Sequence, residues 1–166
     1  MYVGLVMMLK DGKYAKFKEM LERYMENALS YFDVGGKEPE RVNKAFLLGI
    51  LSIALNGYEV ESEIESGYGR LDVVVYPKEK RYGRYGAIFE VKRGSENDLE
   101  ILSEEALKQI REREYYRKLA AKGYRVIGFG VAFSGKRVVV KAETAENQKG
   151  WRVDEEKGDG DSPASR

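Results

Sequence analysis

The chain has 166 residues, 43% of them hydrophobic and 34% charged, with a formal net charge of +1. That is the composition of one soluble folded domain with a buried core, and no apolar run approaches the ~20 residues of a membrane helix. The absence of cysteine and histidine excludes disulfides, thiolate or imidazole zinc sites and histidine-based nucleophile relays, leaving carboxylates, lysine, tyrosine or a hard cation for any catalysis.

The opening MYVGLVMMLKDGK lacks the basic start and small-residue cleavage site of a secretion signal, so a cytoplasmic location is expected. Tyr14 to Phe32 has helical periodicity, with Phe17, Leu21, Tyr24, Ala28 and Leu29 as its packing stripe. A loop at Asp33-Val-Gly-Gly-Lys follows. Pro39 and Glu40 suit a first helical turn and Asn56-Gly57 a stop, so a second helix is expected over Pro39–Leu55; its centre, AFLLGILSIAL, reads as buried core. Tyr58 to Ile64 reads as a strand. The two strands of a hairpin come next, RLDVVVYP and YGAIFEVKR, followed by a long helix over Asp98–Lys122 closed by Gly123. RVIGFGVAF and RVVVKA form a last hairpin around Ser134-Gly135-Lys136. Beyond Glu143 the chain turns polar and reads as a disordered tail in which Trp151 could dock. The expected division is a helical extension over 1–36, a folded domain over 37–142 and the tail over 143–166. The element order predicts an α/β fold, a mixed sheet flanked by helices.

The hairpin strands carry charges where apolar residues would pack better. Side chains two apart on a strand share a face, so Glu90 and Lys92 project together while Phe89 and Val91 enter the opposite layer; an antiparallel partner can bring Asp72 to the face of Glu90. Two carboxylates gathered there repel and are costly to bury, and a divalent cation relieves both problems. Mg²⁺ suits one or two carboxylates with a backbone carbonyl and waters, and Lys92 beside it could orient a water and offset charge on a phosphoryl oxygen. An isolated Glu-x-Lys is most simply a salt-bridge ladder. Set between a glycine-rich turn and aliphatic strands, the group favours metal-dependent chemistry.

Gly69-Arg-Leu-Asp-Val-Val-Val75 followed by Ile88-Phe-Glu-Val-Lys92 resembles the PD-(D/E)xK nuclease superfamily, in particular the nuclease-like domain found C-terminal to AAA-type ATPase domains. The resemblance implies a restriction-endonuclease-like αβββαβ core over about Glu38 to Phe133. It makes Asp72 and Glu90 metal ligands, with the Val91 carbonyl adding a third, and Lys92 the catalytic lysine. Glu40 would be an accessory acid on the buried helix, and Gln109 and Tyr115 would support the site from the long helix. Leu71 stands where the family has proline, and Asn43-Lys44 where relatives often carry an aromatic and a histidine. The implied activity is Mg²⁺-dependent hydrolysis of DNA, with Mn²⁺ as a substitute ion. The alternative is an inactive nuclease-fold module that binds nucleic acid or protein. An ATPase domain or partner outside the chain and a homodimer are the further partners considered, with no membrane.

Two more stretches invite a functional reading. Gly130 to Arg137 nearly spells a phosphate-binding loop, but Arg137 replaces the required hydroxyl and a strand rather than a helix follows. Pro77-Lys-Glu-Lys-Arg-Tyr-Gly-Arg-Tyr-Gly86 is a basic, aromatic hairpin tip. It is expected beside the site, where Lys80, Arg81 and Arg84, with Arg70, would grip nucleic-acid phosphates while Tyr82 or Tyr85 stacks on a base; the equal alternative is an ordinary solvated hairpin whose charges keep the strand edges soluble.

Overall fold

The computed structural model describes residues 1–31, 45, 47–52, 56–66, 69–112, 114–135, 137–145 and 151–152. Of these, 29–31, 63–66, 69–72, 114–115 and 151–152 are described through their backbone alone. A mixed sheet carries the fold, in the order β1 (Tyr58–Ser66), β2 (Gly69–Pro77), β3 (Tyr85–Arg93), β4 (Arg125–Ser134), β5 (Arg137–Ala145) and the two-residue β6 (Trp151–Arg152). The pairings are antiparallel except for β3 with β4, which is parallel. A parallel pair needs a crossover, and α3 (Leu99–Glu112) with α4 (Glu114–Ala121) supplies it.

Strand alternation divides the interior into two layers. Val73, Val75, Phe89, Val91, Phe129 and Val131 pack on α1 (Tyr2–Asp11), α2 (Ala15–Tyr31) and the helical residues 47–51. Val74, Ile88 and Val126 pack instead on Leu107, Ile110 and Leu119 of α3 and α4. Phe89 and Phe129 lie in register on the parallel pair with rings stacked 4.7 Å apart, and Phe17 meets both edge-on.

Several elements differ from the sequence-based expectation. Residues 2–11 form a helix, α1, that the periodicity does not announce, because they are apolar nearly all round and their order comes from packing. Gly12 ends it at φ 75°, donating its N–H to the Met8 carbonyl at 2.9 Å. On α2 the buried stripe is Phe17, Leu21 and Met25, while Tyr24 is 53% exposed. The single helix expected over Asp98–Lys122 is a 3₁₀ turn at Glu96–Asp98 followed by α3 and α4, with residue 113 outside the described residues. The expected tail begins inside the sheet: β5 continues through Glu143 to Ala145, and Trp151 pairs with Ala145. Most of the helix expected over Pro39–Leu55 lies outside the described residues; Leu47 and Leu51 within it are fully buried. Gly135, at φ 50°, sits in the turn between β4 and β5, so the near phosphate-loop motif is a hairpin.

The outer edge of β5 is closed by α2. Glu22 accepts the Val140 N–H at 3.3 Å and Glu26 the Val138 N–H at 3.2 Å, which occupies strand donors that could recruit another chain. Burial raises the Glu22 carboxyl above its ordinary value of 4.5, against the lowering effect of the Val140 bond. The folded state therefore holds that proton more tightly than the unfolded chain. The associated stability is fully present below pH 4.5 and is lost as pH rises through the raised value. Glu22→Gln keeps the acceptor and removes the charge. It is expected to stabilise the fold at pH 7 by up to about 0.5 kcal/mol, and its advantage should vanish when thermal melts are run below pH 4.5.

Candidate active site

The β3–β4 ladder runs unbroken from Tyr85↔Arg125 to Arg93↔Phe133, whereas the β2–β3 ladder covers only Val73–Val75 against Ala87–Phe89. β2 remains paired to β1 as far as Ser66↔Gly69. A fork therefore opens between β2 and β3 just past the Val73↔Phe89 pair. The next residue on one arm is Asp72 and on the other Glu90, so the register sets the two positions opposite each other on the α3 face of the sheet. The side chain of Asp72 lies outside the described residues, as do Glu40 and the side chains of Tyr115 and Arg70.

Glu90 is only 6% exposed, although it is a carboxylate on a central strand. Lys92, two residues on and half-buried, shares its face. Gln109 joins them from α3. Its amide, oriented as the hydrogen-bond network selects, donates to Glu90 Oε1 at 2.9 Å and accepts from Lys92 Nζ at 2.9 Å. One side chain thus restrains both charged groups, because an amide carries a donor and an acceptor on one carbon and serves both at once.

Two features bring α3 close enough for this bridge. The first is Gly130, the β4 residue in register with Glu90. A Cβ there would run into the Ser103 carbonyl oxygen and lie 3.1 Å from the backbone N of Leu107, so the missing side chain is what admits the helix. Gly130→Ala is expected to cost about 1–3 kcal/mol through overpacking. Urea denaturation would report the loss. The second feature is an ion pair on the β5 side of α3. Arg111 donates from Nε and Nη2 to both oxygens of Glu143, at 2.5 and 2.7 Å, and from Nη2 to Glu104 at 3.2 Å. Glu143 is 1% exposed, and the hydrogen bonds that its carboxylate accepts raise the Arg111 pKa. Lys141 adds contacts to Glu100 and Glu104 at 3.3 and 3.7 Å.

Sequence reasoning placed Glu90, Lys92 and Gln109 in one site, and the structure brings these three together. It missed Gly130 and the Arg111–Glu143 pair. The glycine had a readable signal, since a glycine inside an aliphatic strand marks close approach of another backbone. The hairpin tip is not beside the site. Lys80–Tyr82 form a 3₁₀ turn at the far end of β2 and β3, and Arg84 is roughly 20 Å from Glu90 along the strand. Asp72 and Glu90 occupy the open ends of the two strands, and the tip joins the closed ends.

A mixed sheet with a helical crossover, a fork beside its central strand and a Glu-x-Lys on that strand define a restriction-endonuclease-like core. The sequence profile of the PD-(D/E)XK nuclease superfamily matches residues 38–143, and the chain belongs to that superfamily. No curated protein matches the chain significantly. Nucleases of this superfamily generally use divalent metal ions. Among the described residues, no three Asp or Glu side chains gather into a ready metal site. The donors that can be placed are nonetheless of the right kind. A buried carboxylate at Glu90 and the Val91 carbonyl are hard oxygen donors, Asp72 adjoins Val73 on the facing strand, and the chain has no sulfur or imidazole alternative from cysteine or histidine.

Proposed function

We propose that this chain is a divalent-metal-dependent nuclease that hydrolyses phosphodiester bonds of DNA, using Mg²⁺ with Mn²⁺ as a substitute. The observation that carries the reading is the Gln109 bridge, which holds a buried carboxylate and an ammonium together at the mouth of the strand fork. Asp72, Glu90 and the Val91 carbonyl would hold the ion, with Glu40 as an accessory acid. When bound, the ion supplies Lewis-acid polarisation of a phosphoryl oxygen and acidifies the attacking water. Lys92 orients that water and offsets the negative charge that grows on the phosphoryl oxygens as the new P–O bond forms and the old one breaks. Gln109 keeps the Lys92 ammonium from swinging into solvent, and Tyr115 would assist it. The test is calorimetric titration of Mg²⁺ and Mn²⁺ into wild type and Asp72→Ala. Binding in the wild type that falls at least tenfold in the variant supports the reading. Equal binding in both, or none in either with DNA present, contradicts it.

A further inference from the structure

At the end of the sheet away from the fork, an open cleft of about 560 Å³ lies between the last turn of α1, the β2–β3 hairpin tip and the start of β4. Its walls carry Lys10, Lys80, Arg81, Arg84 and Arg125 against a single carboxylate, Asp11. This is a strong local excess of positive charge in a chain whose net charge is only +1. Arg81 is paired with Glu79 at 2.9 Å, and Arg125 donates to the Tyr85 hydroxyl at 3.3 Å. Lys10, Lys80 and Arg84 take no ion pair among the described residues.

Like charges on flexible arms can spread into solvent, but the segments that carry these are tied together. A Cβ at Gly83 would overlap the Leu9 carbonyl, so the tip lies directly on the end of α1. Gly12 lies against the Tyr85 ring, and the Arg125 N–H donates to the Arg84 carbonyl at 2.8 Å. The backbone thus fixes the origins of the cations around one opening. A concave site lined by one sign of charge focuses the field on an incoming counter-ion. A single small anion would answer only part of this excess, whereas a chain of phosphates can reach Lys10, Lys80 and Arg84 in turn.

We infer that this cleft is a second nucleic-acid contact, a seat for backbone phosphates distinct from the Glu90–Lys92 site. The choice of nucleic acid as the polyanion rests on the nuclease reading; the anion chemistry of the cleft does not. Holding one stretch of the chain here raises the local concentration of another at the fork.

The test is fluorescence anisotropy with a labelled DNA duplex and a labelled single strand, in EDTA so that no cleavage occurs, between about 50 and 200 mM salt. Lys10→Gln/Arg84→Gln is expected to weaken binding and to flatten the salt dependence by about 1.8 for duplex or 1.4 for single strand, two phosphate contacts' worth. Lys16→Gln/Lys18→Gln on α2, which removes the same charge elsewhere, should leave the slope unchanged. Equal slopes for wild type and the cleft variant, or equal losses in the two double variants, would overturn the inference. So would the absence of metal-free binding by wild type. Cleft-dependent binding by a wild type that cleaves nothing with Mg²⁺ or Mn²⁺ would retire the nuclease reading and leave the cleft. Cleavage with an unaltered slope would do the reverse.

Discussion

Lys92→Ala is expected to slow metal-dependent cleavage of plasmid DNA by about 10²–10⁴-fold, the range a positioned acid–base group supplies. The same substitution should leave metal affinity unchanged or raise it, because an ammonium next to Glu90 competes electrostatically with a divalent ion for the carboxylate. A fall in rate without a fall in affinity separates this account from simple unfolding, which would depress both. Gln109→Ala tests the bridge from the other side. It leaves Lys92 and Glu90 in place but unrestrained, so the loss of rate should be smaller than for Lys92→Ala, and Gln109→Glu should not restore it, since a carboxylate cannot donate to Glu90. Steady-state rates and calorimetry on the same preparations check all three variants.

Arg111→Ala is expected to have the largest effect on stability, about 3 kcal/mol, at the lower end of the cost of breaking a buried ion pair because Arg111 is itself 30% exposed. The cost arises mainly from Glu143, which at 1% exposure would keep a charge that neither water nor a cation can reach easily. For a chain of this length that corresponds to a fall in Tm of roughly 6–12 °C. Replacing both partners, Arg111→Leu with Glu143→Leu, should recover most of the loss, since the desolvation of two charges is then no longer required. Urea denaturation with a constant m-value would confirm that folding stability, rather than the compactness of either state, has changed. A single variant no less stable than the double would show that the pair contributes little.

The features legible in the sequence are those that the backbone imposes locally. Alternation along a strand makes Glu90 and Lys92 partners and sends Phe89 and Val91 the other way whatever surrounds them. Helical periodicity around Leu99, Ala106 and Ile110 similarly turns Gln109 towards the edge of the packed face. What stayed hidden depends on contacts distant in sequence. The Arg111–Glu143 pair spans 32 residues and forms only because the β4–β5 register sets Glu143 beside Gly128 on the α3 face. α1 has no amphipathic pattern to read, as its order comes from lying on β3 and α2. The position of the basic tip is a different case. Counting from the turn in both directions puts Asp72 and Glu90 at the open ends of the strands, so that separation follows from the hairpin itself.

The central claim, that the fork between β2 and β3 holds a catalytic cation between Asp72 and Glu90, is tested most directly by anomalous diffraction from crystals grown with Mn²⁺ and a short oligonucleotide. The account predicts a manganese peak against the Glu90 carboxylate and on the Asp72 side of the fork, with a phosphate beside it and the Lys92 ammonium within reach. A peak elsewhere, or none while Gln109 still bridges Glu90 and Lys92, would contradict it and leave these charges as a structural ion pair.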